Sequence, residues 1–381
     1  MQALLDNYEI TWVSDNYLKF KMKKKDSSFM LDDDTIRKCS SMLDRDIMML
    51  SNITNPIQED HHSITTDMDI DYIPSNNNNN NSSNSNNNCI NSNNISNQFH
   101  YSSKTFLGTR QENQDRFFMK LYENYNLTVI GVLDGHGDGD ASTPSCHSII
   151  QHLYHQFNNK IFLQDCNQPK FYSNSIANAL LKANTELLKD KEMDFGTTAT
   201  LAYITDQNKV VCGWVGDSTA VLFRLQKDRM TYKSEYLTRD HKPEDTLEKE
   251  RILSVGGRVV YRLGSYRVIP KQGVYSNEDI KKKRLALNMS RALGHSILSQ
   301  YGISPLPDFS ETSIATGDIL IVASDGLWNV LELDEICKIL CKYSNYSIKD
   351  LSDYLIDLVD KKCIKDNSQC DNTTICCYRH H

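Results

Sequence analysis

Short apolar runs set off by glycine, aspartate and asparagine recur from about residue 99 onwards. Leu127–Leu133, Thr197–Ile204, Lys209–Val215, Ala220–Leu225, Asp318–Ala323 and Thr373–Tyr378 read as strands. Between them the period changes. In "SIIQHLYHQF" Ile149, Ile150, Leu153, Tyr154 and Phe157 share one helical face, and "SIANALLKANTELL" repeats this through Ile176, Ala179, Leu180, Ala183 and Leu187. "DHKPEDTLEKERILSVGG" predicts a helix that starts near Pro243 and stops at Gly256-Gly257. Two more helices are expected at about 334–342 and 348–362. Paired helices and consecutive strands predict a layered α+β domain over residues 99–379, and not alternating βαβ units.

The pattern fades upstream. From Pro74 to Asn97 the chain is almost all Asn and Ser, including an unbroken run from Asn76 to Asn81. Such a tract buries too little to offset its ordering entropy, so residues 74–98 read as a linker. Residues 1–73 are expected to be a poorly ordered polar extension. Its basic cluster "KFKMKKK" (Lys19–Lys25) is either a solvated charge run or a nuclear-import signal.

Composition narrows the class. The 381 residues carry 24% charged side chains and a net charge of −7, which argues against a general nucleic-acid binder. The N-terminus lacks the basic start and apolar core of a secretory signal, and no apolar run approaches the ~18 residues of a membrane helix. The eleven cysteines are scattered without a CxxC pair, as suits reduced, buried thiols better than a disulfide framework or zinc site. The expectation is an intracellular protein, cytoplasmic or nuclear, that is monomeric and contacts neither nucleic acid nor membrane.

The candidate chemistry lies in acids at the ends of the apolar runs. "LTVIGVLDGHGDGD" delivers Asp134, Gly135 and His136 after a strand, and "GDILIVASDGLW" delivers Asp325-Gly326. Asp371 stands just before a strand, Asp217 between two, and Asp115 at an apolar start. Each alone would be a turn former. Together, far apart in sequence, they suit hard divalent cations, which prefer carboxylate, carbonyl and water oxygens. A calcium loop read from Asp134 fails, because His136 takes a carboxylate position and Ser145 replaces the bidentate Glu. The HExxH of a zinc peptidase is absent.

In order along the chain, "GTRQENQDRF", "VLDGHGD", "FGTTATLAYI", "WVGDSTAVL", "LTRDHKPEDTLEKERI" with "GGRV", "LNMSRALGH", "VASDGLWNVL" and "DNTTICC" resemble the successive motifs of the metal-dependent protein phosphatases of type 2C. The resemblance spans about 280 residues and implies an α-β-β-α sandwich: two antiparallel sheets flanked by helix pairs, with two Mg²⁺ or Mn²⁺ ions at one end. It implies hydrolysis of phosphoserine and phosphothreonine proteins by a metal-activated water. Asp134 would bridge both ions, the Gly135 carbonyl would bind one, and Asp325 and Asp371 would complete the second. Asp115 and Asp217 would support this set from outside it. Arg110 would grip the phosphate, as a planar guanidinium suits. His136 would donate the proton to the leaving alkoxide, a task its ordinary pKa near 6.5 suits.

This chain departs from the family pattern. Gln114 stands where Glu is usual, Asp138 for Gly, Trp214 for Asn and Thr219 for Arg, while His295 and Asn329 replace acids. These changes leave the four metal positions in place. The last two weaken the acidic surroundings, so a catalytically weak or inactive scaffold is the alternative reading. The resemblance implies that Ser265–Arg284 is a flap beside the catalytic cleft. Its basic residues Lys271, Lys281, Lys282, Lys283 and Arg284 make it either a solvated loop or a segment favouring acidic phosphopeptides.

Overall fold

In the computed structural model the segment that opens the candidate chemistry is one strand from Leu127 to His136. It runs three residues past the apolar run: Gly135 and His136 do not follow a strand but pair with Thr197 and Gly196. The structure describes residues 8–14, 17–22, 100–137, 139–158, 170–189, 194–227, 231–344 and 346–381. Lys23–Lys25 of the basic cluster, the Asn/Ser linker and Asp138 lie outside them.

In chain order, β1 (Tyr8–Ser14) and β2 (Tyr17–Met22) form a separate hairpin within the polar N-terminal segment. Then come β3 (Tyr101–Phe106), β4 (Asp115–Tyr122), β5 (Leu127–His136), α1 (Ser142–Asn158) and α2 (Phe171–Leu187). The short β6 (Gly196–Thr197) precedes β7 (Ala199–Ile204), β8 (Lys209–Val215), β9 (Thr219–Leu225) and β10 (Tyr232–Tyr236). Next are α3 (Thr246–Ser254), β11 (Arg258–Arg262), β12 (Ser265–Ile269), α4 (Asn277–Lys282), β13 (Leu293–Gly294), β14 (Asp308–Ser313) and β15 (Ile319–Ala323). The chain closes with α5 (Asp325–Trp328), α6 (Leu333–Lys342), α7 (Ile348–Asp366) and β16 (Thr373–Arg379).

β10-β9-β15-β16-β3 form a five-stranded sheet, and β13-β6-β5-β7-β8-β14, with β4 joined to β5, form a seven-stranded one. All strand pairs in both are antiparallel. The fold is the α-β-β-α sandwich that the resemblance implies.

Side-chain alternation explains why the strands read as continuous apolar runs. On β5, Leu127, Val129 and Leu133 pack under α1 and α2, whereas Ile130 and Val132 face the other sheet. On β15, Ile319, Ile321 and Ala323 pack under α6 and α7, while Leu320 and Val322 enter the layer between the sheets. Adjacent Cys376 and Cys377 divide the same way, one to each layer. The described cysteines are all free thiols. Among the described residues no helix is long and apolar enough to cross a membrane.

Two expectations are corrected. The third helix starts at Thr246 and not near Pro243, which lies in the turn before it. Ser265–Arg284 is not a simple loop: it holds β12, which pairs with β11, and α4, which opens on a capping box between Ser276 and Asp279.

Candidate active site

The acids come together because strand ends do. β4 and β5 are antiparallel, so the start of one lies beside the end of the other, and Asp115 stands opposite Asp134. In the second sheet the end of β15 meets the start of β16, with Ala323 opposite Ile375, which brings Asp325 and Asp371 to the same end. Asp217 lies in the turn between β8 and β9.

Burial and mutual repulsion mark this group. Burial, then the charges of Asp115, Asp325, Asp217 and Asp371, push the Asp134 carboxyl well above the ordinary carboxylate range. Burial is also the larger cause for Asp325, raised to about 7 with help from Asp217 and Asp371, and for Asp115, raised to about 6. No lysine or arginine salt-bridges these three among the described residues. The other two acids have cationic partners: Arg110 reaches Asp371 at 2.6 Å, and Lys242 reaches Asp217 at 2.8 Å.

The scaffold around the acids is closely tied. Asp115 accepts a 2.7 Å hydrogen bond from Ser324, but its Oδ1 is buried without a partner. Asn329 donates to Asp325 at 3.1 Å. A Cβ at Gly135 would stand 2.8 Å from the Gln114 carbonyl and 2.9 Å from Ser142 Oγ, so only glycine fits there. Gln114 Nε2 donates to the Gly139 carbonyl at 3.2 Å and reaches that of Gly137 at 3.5 Å. A carboxylate has no proton for these bonds, so Gln114 ties down the loop after His136 in a way Glu does not.

This donor set fits hard cations. It offers several half-buried to buried carboxylates that repel one another, one orphaned carboxylate oxygen, and a glycine that opens the backbone beside them. The set is gathered but not closed: among the described residues no three acidic, His or Cys groups converge as a ready-made metal site. Asp371 and Asp217 instead face Arg110 and Lys242.

His136 is half-buried, and both its ring nitrogens have neighbours. Nε2 lies 2.8 Å from Nε2 of His295, and Nδ1 lies 3.3 Å from the Asp134 carbonyl. Burial, then the neighbouring His295, push its imidazolium down to about 3. Sequence reading treats His295 only as a replaced acid and misses it as the partner of His136, along with Lys242, Ser324 and Asp194. None of the four has a spacing signal for its partner: Ser324 adjoins Asp325 but bonds Asp115 on another strand, and the other three meet their partners only through the fold.

The protein phosphatase 2C family profile matches residues 99–368. The chain is 34% identical over 243 residues to the Arabidopsis thaliana protein named probable protein phosphatase 2C 69, covering 61% of this chain and 58% of that one. It is 29% identical over 276 residues to protein phosphatase 2C homolog 2 of Schizosaccharomyces pombe, covering 66% and 64% respectively. The chain thus spans less than two thirds of either relative's length. In fold it is similar to a serine-threonine phosphatase 2C from Toxoplasma gondii, with a TM-score of 0.62, 23% identity and coverage of 74% and 94%. It is also similar to a C. elegans sex determining protein, with a TM-score of 0.58, 22% identity and coverage of 74% and 64%.

Proposed function

The chain belongs to the protein phosphatase 2C family, and from that premise we propose that it is a metal-dependent protein serine/threonine phosphatase. Phosphatases of this family use divalent metals. The observation that carries the reading is the group of carboxyls of Asp115, which is buried, and of Asp134 and Asp325, which are half-buried. All are raised by desolvation and by neighbouring acids, with no cationic side chain bridging them among the described residues.

Asp134, the Gly135 carbonyl, Asp325 and Asp371 would hold two Mg²⁺ or Mn²⁺ ions, with Asp115 and Asp217 supporting them. When bound, such ions make water a competent nucleophile at neutral pH and offset charge on a phosphoryl group. Arg110 is more than half exposed and already meets one carboxylate. Its guanidinium grips the phosphate by the same planar geometry. His136 gives its proton to the departing serine or threonine oxygen. Burial holds His136 neutral in the free protein, and the arriving phosphate dianion favours its charged form, because opposite charge raises an imidazole pKa. Cys146 and Cys212 do not act as nucleophiles: burial pushes both thiols up to about 12, so both stay protonated.

A second reading, a scaffold that binds phosphoproteins with little or no turnover, draws on His136, whose Nε2 is engaged by His295. Phosphate release from a phosphothreonine peptide separates the two. The enzyme reading expects turnover with Mg²⁺ or Mn²⁺, loss with a chelator, and recovery on adding metal. Tight cation binding without turnover favours the scaffold.

A further inference from the structure

His295 is held as no passive side chain needs to be. It is 3% exposed and keeps φ at +57°, a left-handed conformation uncommon for residues with a Cβ. Its ring lies against that of His136 with 19° between the planes. Room for it comes from β6: a Cβ at Gly196 would stand 2.6 Å from His295 Nε2. The far side of the ring meets Asp194. One oxygen of Asp194 accepts from the backbone N–H groups of Ile297 and Leu298 at 3.0 and 3.2 Å, which fixes the carboxylate. The other oxygen faces His295 Nδ1 at 3.8 Å, and both atoms are buried without a hydrogen-bond partner.

Those two unmatched atoms answer each other if His295 carries its proton on Nδ1. Its Nε2 then holds a lone pair, and the 2.8 Å contact requires His136 to donate from Nε2. The other neighbour of His136 makes little demand. The Asp134 carbonyl already accepts from Thr198 N–H at 2.9 Å and Thr197 Oγ at 3.1 Å, leaving only a long contact to His136 Nδ1.

We infer that His295, oriented by Asp194, is a positioning residue for His136: the single Nε2-to-Nε2 hydrogen bond fixes the tautomer and ring plane of that imidazole. A carboxylate that orients one imidazole, which then orients a working group, is the same physical arrangement that fixes tautomers in catalytic and metal-bound histidines. The inference rests on the proposed role of His136 for its kinetic consequence, but the hydrogen bond itself does not depend on that role.

The test has two arms. In the full-length protein labelled with ¹⁵N and loaded with Mg²⁺, NMR should detect scalar coupling across the N–H···N bond between His136 and His295. Its absence in a folded sample overturns the inference. In the second arm, His295→Asn removes the ring, and Asn tolerates a positive φ. It should lower kcat on a phosphothreonine peptide by about 10–100-fold, the usual loss when an orienting partner is removed, with little change in KM. Asp194→Asn should lower it in the same direction. Combined with His136→Gln, His295→Asn should add nothing further; independent, additive losses show that His295 acts elsewhere and overturn the inference. If the wild type hydrolyses no phosphopeptide, the phosphatase reading fails, and the NMR coupling alone decides the histidine pair.

Discussion

Asp115 and Asp134 stand directly opposite each other in the β4–β5 ladder, both with raised carboxyl pKa values. Like charges at directly opposed positions weaken a sheet, and burial adds to the cost. Neighbouring Asp325 deepens the conflict. Among the described residues neither the Asp115 nor the Asp134 carboxyl has a salt-bridging lysine or arginine, unlike Asp371 and Asp217, so the pair leaves room for a bound positive charge.

One consequence has an unusual sign. Asp134→Asn should stabilise the metal-free protein by up to about 1 kcal/mol, the scale of a relieved cross-strand repulsion. The same variant should lose the stabilisation that Mn²⁺ or Mg²⁺ gives the wild type. Thermal melts in chelator and in added metal read both effects. A metal-free variant that melts below the wild type contradicts the electrostatic account.

His136→Gln separates proton donation from cation binding. A serine or threonine alkoxide needs a proton badly, whereas an activated aryl oxide hardly does. The variant should therefore lose about 10²–10⁴-fold in kcat on a phosphopeptide, the usual span of general-acid catalysis, and much less on an aryl phosphate. Equal losses on both substrates would mean that His136 serves the loop or the cations.

Away from the acids, Glu248 anchors a buried ionic network. It accepts from Arg291 and Arg251 at 2.6 Å each and from Ser290 Oγ at 2.6 Å. Burial alone would raise its pKa, but the Arg291 hydrogen bond and the charges of Arg251 and Arg291 hold it well below the usual range. The unfolded chain therefore binds the proton first as pH falls. The stabilisation from Glu248 is full above its unfolded value near ~4.3 and is lost as pH drops towards the folded value. Glu248→Gln should cost about 1.5–3 kcal/mol at neutral pH, the scale of a hydrogen bond to a charged group, because Arg291 keeps Asp308 at 3.0 Å but loses the Glu248 carboxylate. It should also flatten the acid side of the stability–pH curve measured by chemical denaturation. An unchanged acid slope contradicts this role.

The inner strands β5, β7, β8, β9, β15 and β16 are legible because each is an apolar run, whereas β3, β4, β10 and β14, half-buried or partly exposed, carry no such run and are not read. β8 is read to the residue at Lys209–Val215, and α6 to within one residue at its start. β5 is cut short because its last three residues, Asp134, Gly135 and His136, are polar or small, although backbone pairing to β6 continues through two of them. Pro243 misleads for a related reason: a proline suits a helix start, but here it belongs to the turn that precedes one. The acids of the site are legible as a set, because strand ends are where antiparallel topology gathers residues. The partner of His136 is not. His295 reaches it through the β13–β6 contact beside β5, a two-residue pairing too short to leave a periodic mark.

The central claim is that this group of acids binds two divalent cations and that binding turns the protein on as a phosphatase. Its most direct test is one Mn²⁺ titration of chelator-stripped, full-length protein, reading bound metal and phosphothreonine-peptide hydrolysis in the same samples. The account predicts activity that rises as two Mn²⁺ ions fill per chain, and no activity for Asp325→Ala at the same metal concentration. Hydrolysis that persists in excess chelator, or turnover in Asp325→Ala equal to wild type, would contradict it.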